Sequence, residues 1–217
     1  MSSAAEPSPK PSEASGLPVG RLEAFSDGVF AIAMTLLVLE LAIEPGSGDH
    51  LLDAILDEWP SYLAYVTSFL TIGAVWLQHS SVTGALKAAD GSLYRVNMLV
   101  LLLASFLPFP TKLAAQYLDQ DKAERVAVVF YGVTLLALTL ALGWFARYAL
   151  RNRHLLRDDV DVEMLARETR ETTALPFYLI GIAVSLVAPI AGVWVYLISA
   201  LKRGLPVGAF SSLIPRR

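Results

Sequence analysis

The sequence predicts an all-α polytopic membrane protein with six transmembrane helices, and three observations predict it: the apolar weight of the chain, a series of long apolar stretches, and the placement of its charges. Of 217 residues, 55% are hydrophobic and only 17% charged, and the mean hydropathy is +0.53. A soluble domain of this size has no interior large enough to hide that much apolar surface, so lipid must serve as solvent.

Taken in order, residues 1–20 are rich in Pro, Ser, Ala and Glu and carry no apolar run. They lack the charged start and hydrophobic stretch of a secretory signal and read as a disordered tail. The first apolar segment, 22–43, is long enough to cross a hydrocarbon core of about 30 Å at about 1.5 Å per helical residue. Further spans are predicted at 62–82, 93–117 and 126–148, separated by short polar connections. Pro108 and Pro110 near the end of the third remove amide donors and restrict the residues before them, so that helix should bend or stop there.

The last apolar region is long for one span and short for two, and charge decides between them. Arg147, Arg151, Arg153, Arg157, Arg167 and Arg170 crowd the connection after the fourth span, and Lys202, Arg203, Arg216 and Arg217 crowd the C-terminus. The positive-inside rule puts both in the cytoplasm, so an even number of crossings joins them. The expectation is two short helices, 174–188 and 190–203, turning near Pro189, with a re-entrant hairpin as the alternative. The spans together make one membrane domain, 21–204, followed by a C-terminal tail, 205–217. The first connection agrees: Glu44, Asp49, Asp53, Asp57 and Glu58 occur there without Lys or Arg, which places it outside and the N-terminus inside. The segment 158–172, alternating acid and base, fits either a cytoplasmic amphipathic helix or a solvated linker.

Several function classes drop out. A formal net charge of -3, with basic residues split between segments, offers no nucleic-acid patch. The chain has no cysteine, hence no disulfide, thiolate nucleophile or cysteine metal site. Its three histidines, His50, His79 and His154, lie far apart, and no nucleotide-binding, zinc-protease or hydrolase motif is present. No enzyme, cofactor or metal centre is expected. The Thr-Val-Gly-Tyr-Gly filter of common potassium channels is absent as well.

The first span nevertheless breaks the rule for a lipid-facing helix. It opens with Arg21, Ser26 and Asp27 and carries Glu40 near its far end, and ionisable groups in a span face protein or water. Phe25, Ile32, Leu36, Leu39 and Ile43 recur at seven, four, three and four residues, which is one stripe of a helix. Asp27 projects from nearly the opposite side. By periodicity the stripe is either a packing seam or the lining of a central axis. In the second span Trp76 and His79 share a face, and Asn97 of the third lies at about the depth of Asp27. Arg21, Ser26, Asp27, Trp76, His79 and Asn97 are expected to form one buried polar network that fixes the first span against the next two. A proton relay through Asp27 and His79 is the sharper alternative; it would make the protein a proton- or cation-coupled secondary transporter, although no internal repeat supports that plan.

Arg21, then Phe25-Ser26-Asp27-Gly28, then the run from Val29 to Glu40 closely resembles the signature first helix of the transmembrane protein 175 family. The resemblance extends to Trp76 and His79, to Asn97, to the Leu107-Pro108-Phe109 turn, and to the short six-span plan of prokaryotic members. It implies a potassium-permeable cation channel in the cell membrane of a prokaryote, multi-pass, with both termini cytoplasmic. Animal members carry two such repeats and form dimers; one copy of the motif here implies a homotetramer. The family's pore is lined by the first helices and constricted by large aliphatic side chains instead of a carbonyl filter. Carried over by position, those are Ile32, Leu36 and Leu39, the residues of the stripe. Thr35 would offer a hydroxyl beside this hydrophobic gate, unless it bonds its own backbone. Glu40 would either attract cations at the outer mouth or fill a structural role there.

Overall fold

A computed structural model describes residues 18–42, 50–118, 121–169 and 174–204. Every described α-helix of ten or more residues belongs to a single packed bundle. The first, α1 (Val19–Leu36), tightens into a 3-10 turn, Leu37–Glu40. A seven-residue helix, α2 (Leu51–Asp57), leads into α3 (Trp59–Gly84), whose first turn carries Pro60, where no amide partner is required. The next pair, α4 (Gly91–Phe106) and α5 (Pro108–Tyr117), is joined by Leu107 alone, itself in helical conformation. The long α6 (Asp121–Arg151) is followed by a 3-10 turn (Arg153–Leu155) and the short α7 (Val162–Glu168). A hairpin closes the bundle: α8 (Ala174–Ser185) and α9 (Pro189–Gly204).

Four stretches are long and apolar enough to cross a membrane: Val19–Glu40, Trp59–Gly84, Gly91–Tyr117 and Ala123–Arg151. They match the four long spans read from the sequence, with small shifts at their ends. The first helix starts at Val19, inside the stretch 1–20 assigned to the tail, and its regular helix ends at Leu36, so the stretch 22–43 is only partly α-helical. The third span bends at Pro108 as expected: Leu107 closes α4, and Pro108 opens α5 where its missing donor matters least. In the stretch 158–172 a helix forms only over Val162–Glu168, started by Asp161, whose carboxylate accepts from the amides of Glu163 and Met164. Residues 1–17, Ile43 and the segment 205–217 lie outside the described residues.

The bundle is built around α3 and α6. Their fully buried Ile72, Val75, Leu135, Leu138 and Phe145 meet Val100 and Leu107 from the third span. Between helices in lipid, association comes from close packing and hydrogen bonds, since the hydrocarbon is as apolar as leucine. The hairpin shows this directly. Side chains at Gly132 on α6 and Gly181 on α8 would both collide with the ring of Tyr196 on α9, and one at Gly192 would collide with Ser185. Glycine there lets three backbones close on one tyrosine. Hydroxyls fill the remaining polar demand: Ser68 on α3 bonds both Thr111 on α5 and Tyr131 on α6, each at 2.7 Å.

At one end of the bundle the chain staples α3 to α6. The Lys87 amide donates to the Leu155 carbonyl at 2.8 Å, and the Arg157 amide donates to the Ala85 carbonyl at 2.9 Å. Asp90 then starts α4, its Oδ1 accepting from the Leu93 amide at 2.7 Å and its Oδ2 from the Tyr148 hydroxyl at 2.6 Å.

Candidate functional site on the first helix

The first helix has two unlike sides. Leu22, Ser26, Phe30, Ala33 and Leu37 are buried; their spacing of three or four residues makes one stripe, turned to α3 and α4. The stripe of Phe25, Ile32, Leu36 and Leu39 lies on the open side instead: Ile32 is 61%, Leu36 41% and Leu39 69% exposed in the single subunit. The 3-10 turn sharpens its alignment, because residues three apart eclipse one another at three residues per turn, which brings Leu39 directly over Leu36. Thr35 lies on the same open side, and its hydroxyl donates to the Ile32 carbonyl at 2.9 Å.

Five of the six polar residues divide into two groups. On α1, Ser26 and Asp27 are neighbours and so point about 100° apart. Ser26 is buried and accepts from the Asn97 side-chain amide at 3.1 Å, and the Asn97 oxygen lies 2.6 Å from His79 Nε2. With the Asn97 nitrogen committed to Ser26, its oxygen accepts, so Nε2 of His79 carries the proton. The imidazole is held between aromatic rings, edge-on to Phe30 at 5.3 Å and stacked on Phe145 at 5.0 Å. Asp27 reaches a different partner: Trp76 Nε1 donates to its Oδ1 at 2.8 Å. Arg21 is exposed and joins neither group. One continuous network does not form, because the helix turn between Ser26 and Asp27 sends each to its own neighbour.

Glu40, at the end of the 3-10 turn, is only 18% exposed at its side chain and ion-pairs at 3.1 Å with Lys112 of α5. Sequence reading missed this partner, and it missed the Phe30 and Phe145 rings around His79. Lys112 carried a usable signal: it is the one cation in the second half of the third span, the half that lies beside the end of the first. The rings carried none, since an apolar residue at core spacing gives no hint of which side chain it will cover. Among the described residues no group of three His, Cys, Asp or Glu is placed to hold a metal ion.

The chain that carries this helix is similar to known proteins. A family model described as endosomal/lysosomal potassium channel TMEM175 matches residues 21–108. A potassium channel of Streptomyces collinus is 42% identical over 157 residues, covering 72% of this chain and 76% of that protein. The chain belongs to the TMEM175 family. A second relative in that family, a potassium channel of Chamaesiphon minutus, is 37% identical over 175 residues, 78% of this chain and 85% of the relative. Among solved structures, the crystal structure of a lysosomal potassium-selective channel TMEM175 homolog from Chamaesiphon minutus superimposes with a TM-score of 0.77 at 34% identity, covering 88% of this chain and 98% of that one. The TMEM175 match includes every residue of the two polar groups on α1, α3 and α4, and the whole open stripe. TMEM175 is an ion-channel family and not an enzyme family.

Proposed function

We propose that this chain is one subunit of a potassium-permeable cation channel, assembled as a homotetramer whose pore is lined by four copies of α1. The observation that carries the reading is the open stripe: Ile32, Leu36 and Leu39 sit on a membrane-length helix, unpartnered within the subunit, while two polar contacts hold the helix from behind. Rings of these three residues narrow the axis over about 12 Å, summing about 1.5 Å per α-helical and 2 Å per 3-10 residue. A neck lined only by aliphatic carbon dewets readily, so it acts as a gate as well as a constriction. Potassium crosses it at lower cost than sodium, because it sheds a weaker hydration shell. Thr35, with its hydroxyl bonded to the Ile32 carbonyl, leaves its oxygen lone pairs beside the neck. Glu40, paired with Lys112, contributes little net charge to the mouth.

The subunit is proposed to span the bilayer six times within 21–204, in the cell membrane of a prokaryote, with both termini cytoplasmic. The hairpin supplies the last two crossings. At 12 and 16 residues, α8 and α9 are about 18 and 24 Å long, short of a core of about 30 Å. Contacts with α3 and α6 hold the hairpin in the bundle, and local thinning of the bilayer accommodates its shortness. The transporter alternative finds no support in the geometry, since Asp27 and His79 are each satisfied by a separate partner and share no bond.

Single-channel recording from purified protein in a bilayer, with potassium on one side and sodium on the other, tests the whole reading. Unitary cation currents with a reversal potential favouring potassium are expected. Saturable, stoichiometrically coupled exchange would overturn the channel. Ile32→Asn and Leu36→Asn are expected to wet the neck and raise conductance or weaken potassium preference; unchanged currents in either would remove that residue from the constriction.

A further inference from the structure

The longest helix is too long for the membrane it crosses. At 31 residues, α6 measures about 46 Å, roughly 16 Å more than the hydrocarbon core. One of its faces is exposed from Val133 to Arg151: Val133, Leu140, Trp144, Arg147 and Arg151, spaced seven, four, three and four, all lie on it and are all exposed. The face changes character abruptly. It is apolar as far as Leu140, turns to an indole at Trp144, 53% exposed, and then presents two guanidiniums one turn apart.

That order is the cross-section of half a bilayer. Trp prefers the boundary between acyl chains and headgroups, and cations prefer the phosphate layer beyond it. Arg147 and Arg151 have no ion pair among the described residues. Three acids on the connections that flank α4 and follow α6 are engaged elsewhere: Asp90 with the α4 amides and Tyr148, Asp158 with Lys87, Asp159 with Arg157. Two adjacent guanidiniums, each able to hold a phosphate in a two-pronged hydrogen bond, therefore remain free to bind an anion from outside the chain.

We propose that Trp144, Arg147 and Arg151 form a docking site for an anionic phospholipid, with acyl chains along Val133 and Leu140, the glycerol region against Trp144 and the phosphate on the two arginines. Charge complementarity and the continuity of the apolar face with the arginines single out this occupant. Its net negative charge separates it from a zwitterionic lipid, whose choline or ethanolamine would face the same two cations.

Native mass spectrometry of the intact assembly, titrated with phosphatidylglycerol or phosphatidylcholine of matched acyl chains, tests the site. Wild-type protein should bind phosphatidylglycerol preferentially, and Arg147→Gln/Arg151→Gln should weaken that binding by about fivefold for each arginine removed while leaving phosphatidylcholine unchanged. Arg147→Lys/Arg151→Lys, which keeps the charge, should retain most of the preference and guards against a folding artefact. Equal binding of the two lipids by wild type, or phosphatidylglycerol binding unaltered in the Gln variant, would overturn the proposal. So would a change in subunit number in the Gln variant, which would make this face a contact between copies, or displacement of the lipid by millimolar glycerol phosphate, which would make it a free-anion site.

Discussion

Trp76 donates its indole N–H to the Asp27 carboxylate at 2.8 Å, while Ser26, one residue earlier, is held by Asn97 at 3.1 Å. Consecutive residues on α1 are thereby tied to different helices, α3 and α4, about 100° apart around the helix axis. A helix fixed at two such points cannot rotate without breaking one of them, which sets the direction in which Ile32, Leu36 and Leu39 face.

The Trp76–Asp27 bond is charge-assisted but partly exposed, so its loss should cost about 1.5 kcal/mol, the lower end for a bond to a charged group. Trp76→Phe and Asp27→Ala are each expected to lower the melting temperature of the detergent-solubilised protein. Because both remove the same bond, the double variant should be less destabilised than the sum of the two. Strict additivity would show that the residues act independently and that this contact does not hold α1.

The His79–Asn97 bond is buried and behaves differently. Asn97→Ala leaves the His79 N–H and the Ser26 hydroxyl facing no partner, a penalty of roughly 1–3 kcal/mol for an unsatisfied buried group. His79→Phe with Asn97→Leu removes both polar ends from the aromatic sandwich of Phe30 and Phe145 and should cost less than Asn97→Ala alone. Thermal unfolding of the two proteins decides this. A double variant no more stable than Asn97→Ala would mean that ring shape at this site matters more than polar satisfaction.

Much of this architecture was legible in the sequence, and the boundary of legibility is physical. The four long apolar stretches, the bend at Pro108 and the turn before Pro189 follow from length and from proline's missing donor, which are local properties. The stripe on α1 follows from helical period. Which polar residue meets which is a question of relative rotation between helices, and period cannot answer it: Arg21 shares a signature motif with Asp27 yet is exposed and joins neither polar group, while Lys112, in no motif, meets Glu40. The small helix α2 was also missed, because seven residues between acids resemble a loop as much as a helix turn.

Asp90 offers a test by pH. Desolvation raises its carboxyl pKa, but the hydrogen bonds from Tyr148 and from the Leu93 and Ser92 amides outweigh it and hold the group below its ordinary value. A carboxylate lowered in the folded state stabilises the fold above its ordinary pKa, near 3.9, and that contribution is lost as pH falls through the lowered folded value. Asp90→Asn keeps an acceptor for the helix start but cannot titrate. Wild type should therefore melt higher than Asp90→Asn at neutral pH, with the gap narrowing below about pH 4. A gap that stays constant down to pH 2 would show that the charge on Asp90 contributes nothing.

The Glu40–Lys112 pair separates stability from conduction. Lys112 is about half exposed but Glu40 is mostly buried, so Lys112→Gln should cost about 1–3 kcal/mol and lower the melting temperature modestly. Its electrostatic effect is larger in kind, since four unpaired Glu40 carboxylates would then stand where α1 ends, at the outer mouth of the proposed pore. Those charges concentrate cations and should raise single-channel potassium conductance at low ionic strength. Salt screens the effect: with a Debye length of about 10 Å at 0.1 M and 3 Å at 1 M, the variant and wild-type conductances should converge as potassium concentration rises. Glu40→Gln combined with Lys112→Gln should abolish the gain at every concentration. A conductance ratio independent of salt, or a gain that survives removal of Glu40, would show that Lys112 acts by shaping α5 and not by neutralising the carboxylate at the end of the first helix.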